Sequence, residues 1–276
     1  MSASALPARR FRAGMIPVAI GLLVIAAWVA VAVLAPAIAP HPPGQMLRLG
    51  NLAPISAGAP LGTDVLGRDM LSRIIYGTRY SVGVPLLASS IACGVGVLLG
   101  ILAAVRGGVL DATLSRVADA LISIPHLMFA LVVVAALGSS LGVLTGVVAF
   151  SYLPGAFRVA RALALDIQAN DYITVARARG EGLGYIVVRE ILPNMWLPVL
   201  TDFGLRFVFS VLLLSGLSFL GLGIQPPSAD WGALVRENVD GVFEAAPAVV
   251  APAVAIATLT IAVNLVIDGL AGRRRR

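Results

Sequence analysis

Apolar residues run along this chain in long blocks separated by polar breaks. Neither the alternation of a half-buried strand nor the one-sided stripe of a surface helix dominates. Crossing a bilayer takes about 20 consecutive apolar residues in a helix. Blocks of that order occur at residues 15–39, 81–105, 116–137, 141–160, 197–223 and 248–270. They predict an all-α, polytopic membrane protein of about six transmembrane helices. Arg106-Gly107-Gly108 breaks the second block from the third, and residues 138–142 leave room only for a tight turn. Two polar stretches are long, one at 40–80, rich in Pro and Gly, and one at 161–194. A shorter loop occupies 224–247.

The first block follows Arg9-Arg10-Phe11-Arg12 and ends near Ala37-Ile38-Ala39, as a cleaved signal peptide would. Its apolar run exceeds the roughly 7–15 residues of a signal core, and Pro40 follows the would-be cut. We read it as a retained helix. The chain then divides into a tail at 1–14, a first helix at 15–39, a loop with an interfacial helix at 40–80, a five-helix core at 81–270 and a tail at 271–276. The core contains an inside loop at 166–194.

Composition agrees with a bilayer as solvent. Only 12% of residues are charged and 59% are hydrophobic, whereas soluble domains carry about 25% charged residues. No sizeable soluble domain fits in what remains. The basic residues number 20, all Arg, and they sort by loop. With the N-terminus inside, inside segments hold Arg9, Arg10, Arg12, Arg106, Arg116, Arg158, Arg161, Arg177, Arg179, Arg189 and Arg273–Arg276. Outside loops hold Arg48, Arg68, Arg73, Arg79 and Arg236. That bias predicts both termini in the cytoplasm and explains the basic balance without nucleic acid. Cys93 is the single cysteine, so no internal disulfide or cysteine-based metal site is possible. His41 and His126 are far apart, and no metal site is expected. With no lysine, the chain cannot carry a phosphate-binding loop ending in Gly-Lys-Ser or Gly-Lys-Thr. His-Glu-x-x-His and Gly-x-Ser-x-Gly are also missing, so no catalytic residue is assigned. Small residues at four-residue steps, Gly96 and Gly100, then Gly138, Gly142 and Gly146, allow close helix packing.

The inside loop holds the densest pattern. Asp171 is placed to cap a helix over 172–179. Gly180, Gly182 and Gly184 then break it, since glycine is a poor helix former. A second short helix over 183–191 is closed by Pro193. Such a pair forms a compact knob on the membrane surface, and loops of this length are usually functional. In the outer loop, residues from Val65 onward read as an amphipathic interfacial helix. Leu66, Met70 and Ile74 share a face, with Arg68, Ser72, Tyr76 and Arg79 opposite. Asp69 and Arg73 stand at the spacing of a helix ion pair.

Ala176, Gly180 and Leu192-Pro193 fall in the spacing of the EAA loop, and this segment resembles that of bacterial binding-protein-dependent ABC importers. The longer string from Asp171-Tyr172 to Arg189-Glu190-Ile191-Leu192-Pro193-Asn194 is similar to the dipeptide, oligopeptide and nickel permease branch. The Glu-Ala-Ala triplet reads Thr174-Val175-Ala176 here, and Glu190 stands where histidine is common. Gly62-Thr63-Asp64, Gly67-Arg68-Asp69, Ser72-Arg73 and Tyr76-Gly77 resemble the signature of its C-type permeases. The resemblance implies a type I ABC importer transmembrane fold in the bacterial inner membrane. It implies a second permease subunit, one or two ABC ATPases and an extracytoplasmic solute-binding protein as partners. ATP and Mg would sit on the ATPases, with no cofactor on this chain. Asp171, Tyr172, Ala176, Arg177, Arg179, Gly180, Glu181, Leu192 and Pro193 would form the ATPase-coupling element. Gly62, Thr63, Asp64, Gly67, Arg68, Asp69, Ser72 and Arg73 would either anchor the outer segment or touch the solute-delivering protein. The solute would be a dipeptide or oligopeptide, or alternatively a nickel chelate, glutathione or another small solute.

Charges within a span default to a functional hypothesis. Asp202 and Arg206 are four apart in the fifth block, and two readings stay open. They form a local ion pair, or Arg206 faces a translocation path. An ATPase-independent channel and an intramembrane enzyme are the competing functional classes.

Overall fold

The computed structural model describes residues 8–243 and 246–272. Residues 1–7 of the expected N-terminal tail and the Arg273–Arg276 run lie outside the described residues. Helix α1 spans Ala8–Ile38, α2 Met70–Arg106, α3 Gly108–Ile122, α4 His126–Leu137 and α5 Leu141–Gln168. Two short helices, α6 (Asp171–Ala178) and α7 (Leu183–Tyr185), lead through a π-turn at Ile186–Ile191 into α8 (Leu192–Phe219). α9 (Trp231–Asn238) and α10 (Ala246–Gly272) complete the order. Among the described residues the fold is all-α, with isolated bridges in place of strands.

Five helical stretches are long and apolar enough to cross a membrane, and a sixth crossing exists only if α3 and α4 count as one. These two are bent by 85° where the sequence predicts one span over 116–137. Pro125 is the cause. It has no N–H to donate and biases Ile124 away from helix, so α3 ends at Ile122 and α4 starts at His126. The second span also differs. It starts at Met70 instead of Ser81, and its 37 residues are one helix.

α2 and α5 form the most extensive pair. A Cβ added at Gly96 would lie 2.6 Å from the Ala156 Cβ and 2.9 Å from the Phe157 nitrogen. At Gly100 it would lie 2.7 Å from the Phe157 oxygen and 2.8 Å from the Arg161 nitrogen. Only glycine lets the two backbones approach this far. Gly142 and Gly146, at the same step, face open space among the described residues. Gly100→Val is therefore expected to destabilise the purified protein by about 1–3 kcal/mol through overpacking, whereas Gly146→Ala should melt at or slightly above the wild type in the same thermal unfolding assay.

α1 lies along α10. An added Cβ at Gly21 would meet the Ala262 oxygen at 2.5 Å. The Trp28 Nε1 donates to the Thr258 hydroxyl at 3.2 Å. The Trp28 ring meets Trp231 edge-on, with centroids 4.7 Å apart. Trp231 belongs to a layer that covers the α2 N-terminus, made of residues 40–69 and 224–243. This cap layer and the α6–α7 knob sit at opposite ends of α2, since Ile101 and Ala104 near its C-terminus pack with Ile173, Ile186 and Ile191 of the knob.

Candidate functional site

The knob is built on two buried anchors. Of α6, only Ile173 and Ala176 are buried, both fully, and the other residues face outward. Ile173 joins Ile186, Ile191 and Met195 against Ala160 and Ala164 of α5. The helix therefore rests on the bundle by one narrow stripe and presents Tyr172, Arg177 and Arg179 to the outside. It ends in a two-bond corner. The Gly180 N–H donates to the Arg177 oxygen at 3.0 Å, and the Glu181 N–H to the Ala176 oxygen at 3.2 Å. This is the Schellman closure, which needs a left-handed residue just past the helix. Gly180 supplies it with φ +82°, and its Cα faces open space. Gly182 and Gly184 have ordinary φ and equally open surroundings.

Two details of this segment depart from the sequence expectation. Asp171 is not the cap; Asn170 holds that position and Asp171 is the first helical residue. No side chain caps α6, because the Asn170 amide turns back to donate to the Asp166 and Ile167 oxygens at 3.0 Å each, closing α5 instead. Asp171 still lies where the helix dipole favours an acid. Nor does Pro193 close the second helix. It sits at the second residue of α8, directly after the π-turn, and helix continues from Leu183 through that turn to Phe219. The α7 part of the knob is thus continuous with α8, and α6 joins it by the Gly180 corner. Arg177 reaches the Gln168 side-chain oxygen at 2.8 Å. Glu181 is half-buried and Pro193 exposed, with Leu192 half-buried between them.

The outer signature folds differently from an interfacial helix. Asp64 Oδ1 accepts the Leu66 and Arg68 backbone N–H groups at 2.8 Å each, which holds residues 64–68 in a turn. Leu66 is therefore exposed rather than on a shared apolar face, and the helix begins only at Met70. Asp69 and Arg73 do not pair. Asp69 is the N-cap, accepting the Ser72 N–H at 3.0 Å and its hydroxyl at 2.5 Å. Arg73 instead gives Nη1 to Asp64 at 2.8 Å and to Glu237 of α9 at 2.6 Å. Arg68 gives Nε to Asp64 at 2.6 Å and Nη2 to Glu237 at 2.9 Å. Asp64, Arg68, Asp69, Ser72 and Arg73 are all buried. Thr63 ties the same turn by accepting from the Ala53 N–H at 2.7 Å and donating to the Gly50 oxygen at 2.9 Å. Gly62 and Gly67 take φ +75° and +74° in these turns. The segment expected to display an outward polar face is the buried charge network of the cap layer.

Glu237, Asn238 and Asp230 were not singled out from the sequence. Asn238 accepts the Val65 N–H at 3.0 Å, and Trp231 donates Nε1 to the Ile74 oxygen at 3.2 Å. These α9 groups meet residues 173 and 157 positions earlier, which no local pattern signals. Asp230 alone carried a readable sign, an acid just before a short amphipathic helix. It caps α9 by accepting the Ala233 N–H at 3.0 Å and is fully buried beside the Ser218 hydroxyl. Burial pushes its carboxyl up from 3.8 to about 6, against hydrogen bonds from Ser218 and the Ala233, Gly232 and Ile224 amides. A pKa raised by folding adds stability below the ordinary value and loses it as pH climbs through the raised one. The difference in melting temperature between wild type and Asp230→Asn should therefore slope between pH 4 and 6 and level off above. Parallel curves over that range would contradict the buried carboxyl.

Arg206 lies midway along α8. Its Nε and Nη2 donate to Asp202 at 2.6 and 2.9 Å, and its Nη1 to the Tyr152 oxygen of α5 at 2.9 Å. Gly155 makes room for it, since an added Cβ there would lie 2.8 Å from Nη1. Both ends of the pair are largely shielded within this one chain. The local ion pair exists. His126, at the start of α4, stacks on Tyr152 with ring centroids 5.1 Å apart. Among the described residues no three His, Cys, Asp or Glu side chains converge in a way that could hold a metal ion.

Five long apolar helices with a bent pair, carrying a compact knob at one end and a buried charge network at the other, define a multi-pass membrane protein. The chain belongs to the family of binding-protein-dependent transport system inner membrane components, which residues 96–276 match. It is 36% identical over 258 residues to the dipeptide transport system permease protein of Haemophilus influenzae, across 91% of this chain and 87% of that one. It is 35% identical over 256 residues to the di/tripeptide transport system permease protein of Pseudomonas aeruginosa, across 91% and 84%. The glutathione transport system permease protein of Pectobacterium atrosepticum is 35% identical over 210 residues, across 76% and 70%.

Proposed function

We propose that this chain is the permease subunit of an ATP-driven importer for dipeptides or oligopeptides, and that the α6–α7 knob couples it to cytoplasmic ATPases. The observation that carries the coupling role is the continuity of the α7 part of the knob with α8. A push on α6 is transmitted through Ile173 and Ala176, and through an unbroken helix, into the membrane. ATP on the partners then biases the bundle between inward-open and outward-open states, as any ligand with differential affinity must. Hydrolysis belongs to the ATPases, and this chain supplies no nucleotide site. Both termini and the knob face the cytoplasm, while the cap layer faces outward and receives a solute-binding protein. A second permease subunit completes the path.

The Asp202–Arg206 pair marks the candidate path at the middle of α8. There a solute carboxylate competes with Asp202 for the guanidinium. Peptides are favoured as solutes by the similarity to dipeptide and di/tripeptide permeases over most of the chain. Glutathione, itself a peptide, is the second reading, favoured by the similarity to a glutathione permease. The test is ATP-dependent uptake of a labelled dipeptide by the reconstituted complex, with competition by unlabelled oligopeptides, glutathione and nickel chelates. Uptake suppressed by peptides supports the assignment. Uptake indifferent to peptides but blocked by a nickel chelate would replace it.

A further inference from the structure

A cavity of about 280 Å³ opens within the cap layer, between the 65–68 turn, the segment after α8 and α9. Its polar wall is unusual for having a cation left over. Asp64 and Glu237 cancel Arg68 and Arg73, with which they form the buried network. Arg236 also lines the cavity, is exposed, and pairs with no carboxylate among the described residues. Its guanidinium lies close to the backbone at the end of α8. It lies flat against Gly221, where an added Cβ would come within 2.9 Å of its Cζ. Gly221 has φ +87°, so glycine serves both the turn and the seat. Arg68, largely buried, adds a second donor, because its Nη1 has no acceptor among the described residues while Nε and Nη2 are used.

We propose that this cavity receives an Asp or Glu side chain of the extracytoplasmic solute-binding protein, with Arg236 as its ion-pair partner and Arg68 as a supporting donor. The inference rests on the importer reading above. A guanidinium matches a carboxylate in a two-point contact that an ammonium cannot make. The cavity lies in the layer over the end of the bundle and away from the middle of α8, so what reaches it is a molecule docking on that face.

The test measures binding of the solute-binding protein that copurifies with the complex to the detergent-purified complex, by biolayer interferometry at low and high salt. Wild-type binding should weaken with salt. Arg236→Gln should weaken it at least about tenfold at low salt, the order expected for a central interfacial arginine, and flatten the salt dependence. Arg236→Lys should restore part of the loss. Both variants should melt with the wild type, since the side chain is exposed and unpaired. Wild-type affinity in Arg236→Gln would overturn the proposal and leave the importer reading intact. Unchanged docking with a weaker apparent affinity for peptide in uptake would assign the cavity to the solute and overturn it equally. Failure of any solute-binding protein to copurify with the wild-type complex would remove the importer reading and this inference with it.

Discussion

Arg73→Ala is expected to destabilise the protein by roughly 3–5 kcal/mol, the cost of removing one partner from a buried ion pair. Asp64 is fully buried, and its two oxygens accept four hydrogen bonds, two from backbone and one each from Arg68 and Arg73. Removing Arg73 leaves that carboxylate and Glu237 to share Arg68 alone. Lysine should recover only part of the loss. Arg73 uses two nitrogens on two carboxylates, and an ammonium cannot reproduce that fork. Glu237→Ala should be milder, because its side chain is 20% exposed and water takes over part of its role. Thermal unfolding in detergent, read by fluorescence-detected size exclusion, orders the three variants. A melting temperature for Arg73→Ala equal to the wild type would mean that the cap layer is not held by this network.

The second large effect is on transport rather than stability. Gly180→Val is expected to cut uptake at least about tenfold while the complex still assembles. An L residue in the left-handed region costs roughly 1–2 kcal/mol, about a tenfold change in population, and a β-branched one fits worst. The side chain itself meets nothing, so the cost falls on the Schellman corner that aims α6. Gly182→Val is the control. That position has φ −73° and equally open surroundings, so the knob should keep its shape and uptake its rate. Ala176→Leu attacks the other support by forcing volume into a fully buried contact, and it should lose uptake as well. Equal uptake in Gly180→Val and wild type would detach the corner from coupling.

How much of this was legible depends on the range of the interaction. Apolar run length alone placed the long helices, since hydrocarbon thickness sets it. Gly180 was legible as a breaker because the left-handed corner it makes is a local property. The boundaries that failed did so for equally physical reasons. Asp171 and Asn170 both have capping chemistry, and the choice was made by the end of α5, which claimed the Asn170 amide. Pro193 reads as a stop, yet the π-turn just before it carries helix through into α8. The outer signature misled most. Its charges fit the polar face of an amphipathic helix, yet Glu237 draws Arg68 and Arg73 inward from a distance of more than 160 residues in sequence. A pairing of that range leaves no trace in the spacing of residues 61–81.

The central claim is that this chain works as one membrane subunit of an ATP-driven assembly. It is tested most directly by tagging the chain, extracting the membrane in mild detergent and identifying the proteins that copurify by mass spectrometry. Recovery of ABC ATPase subunits and a second permease of similar fold is the result the account predicts. Recovery of the chain alone, under conditions in which a known importer stays assembled, would contradict it.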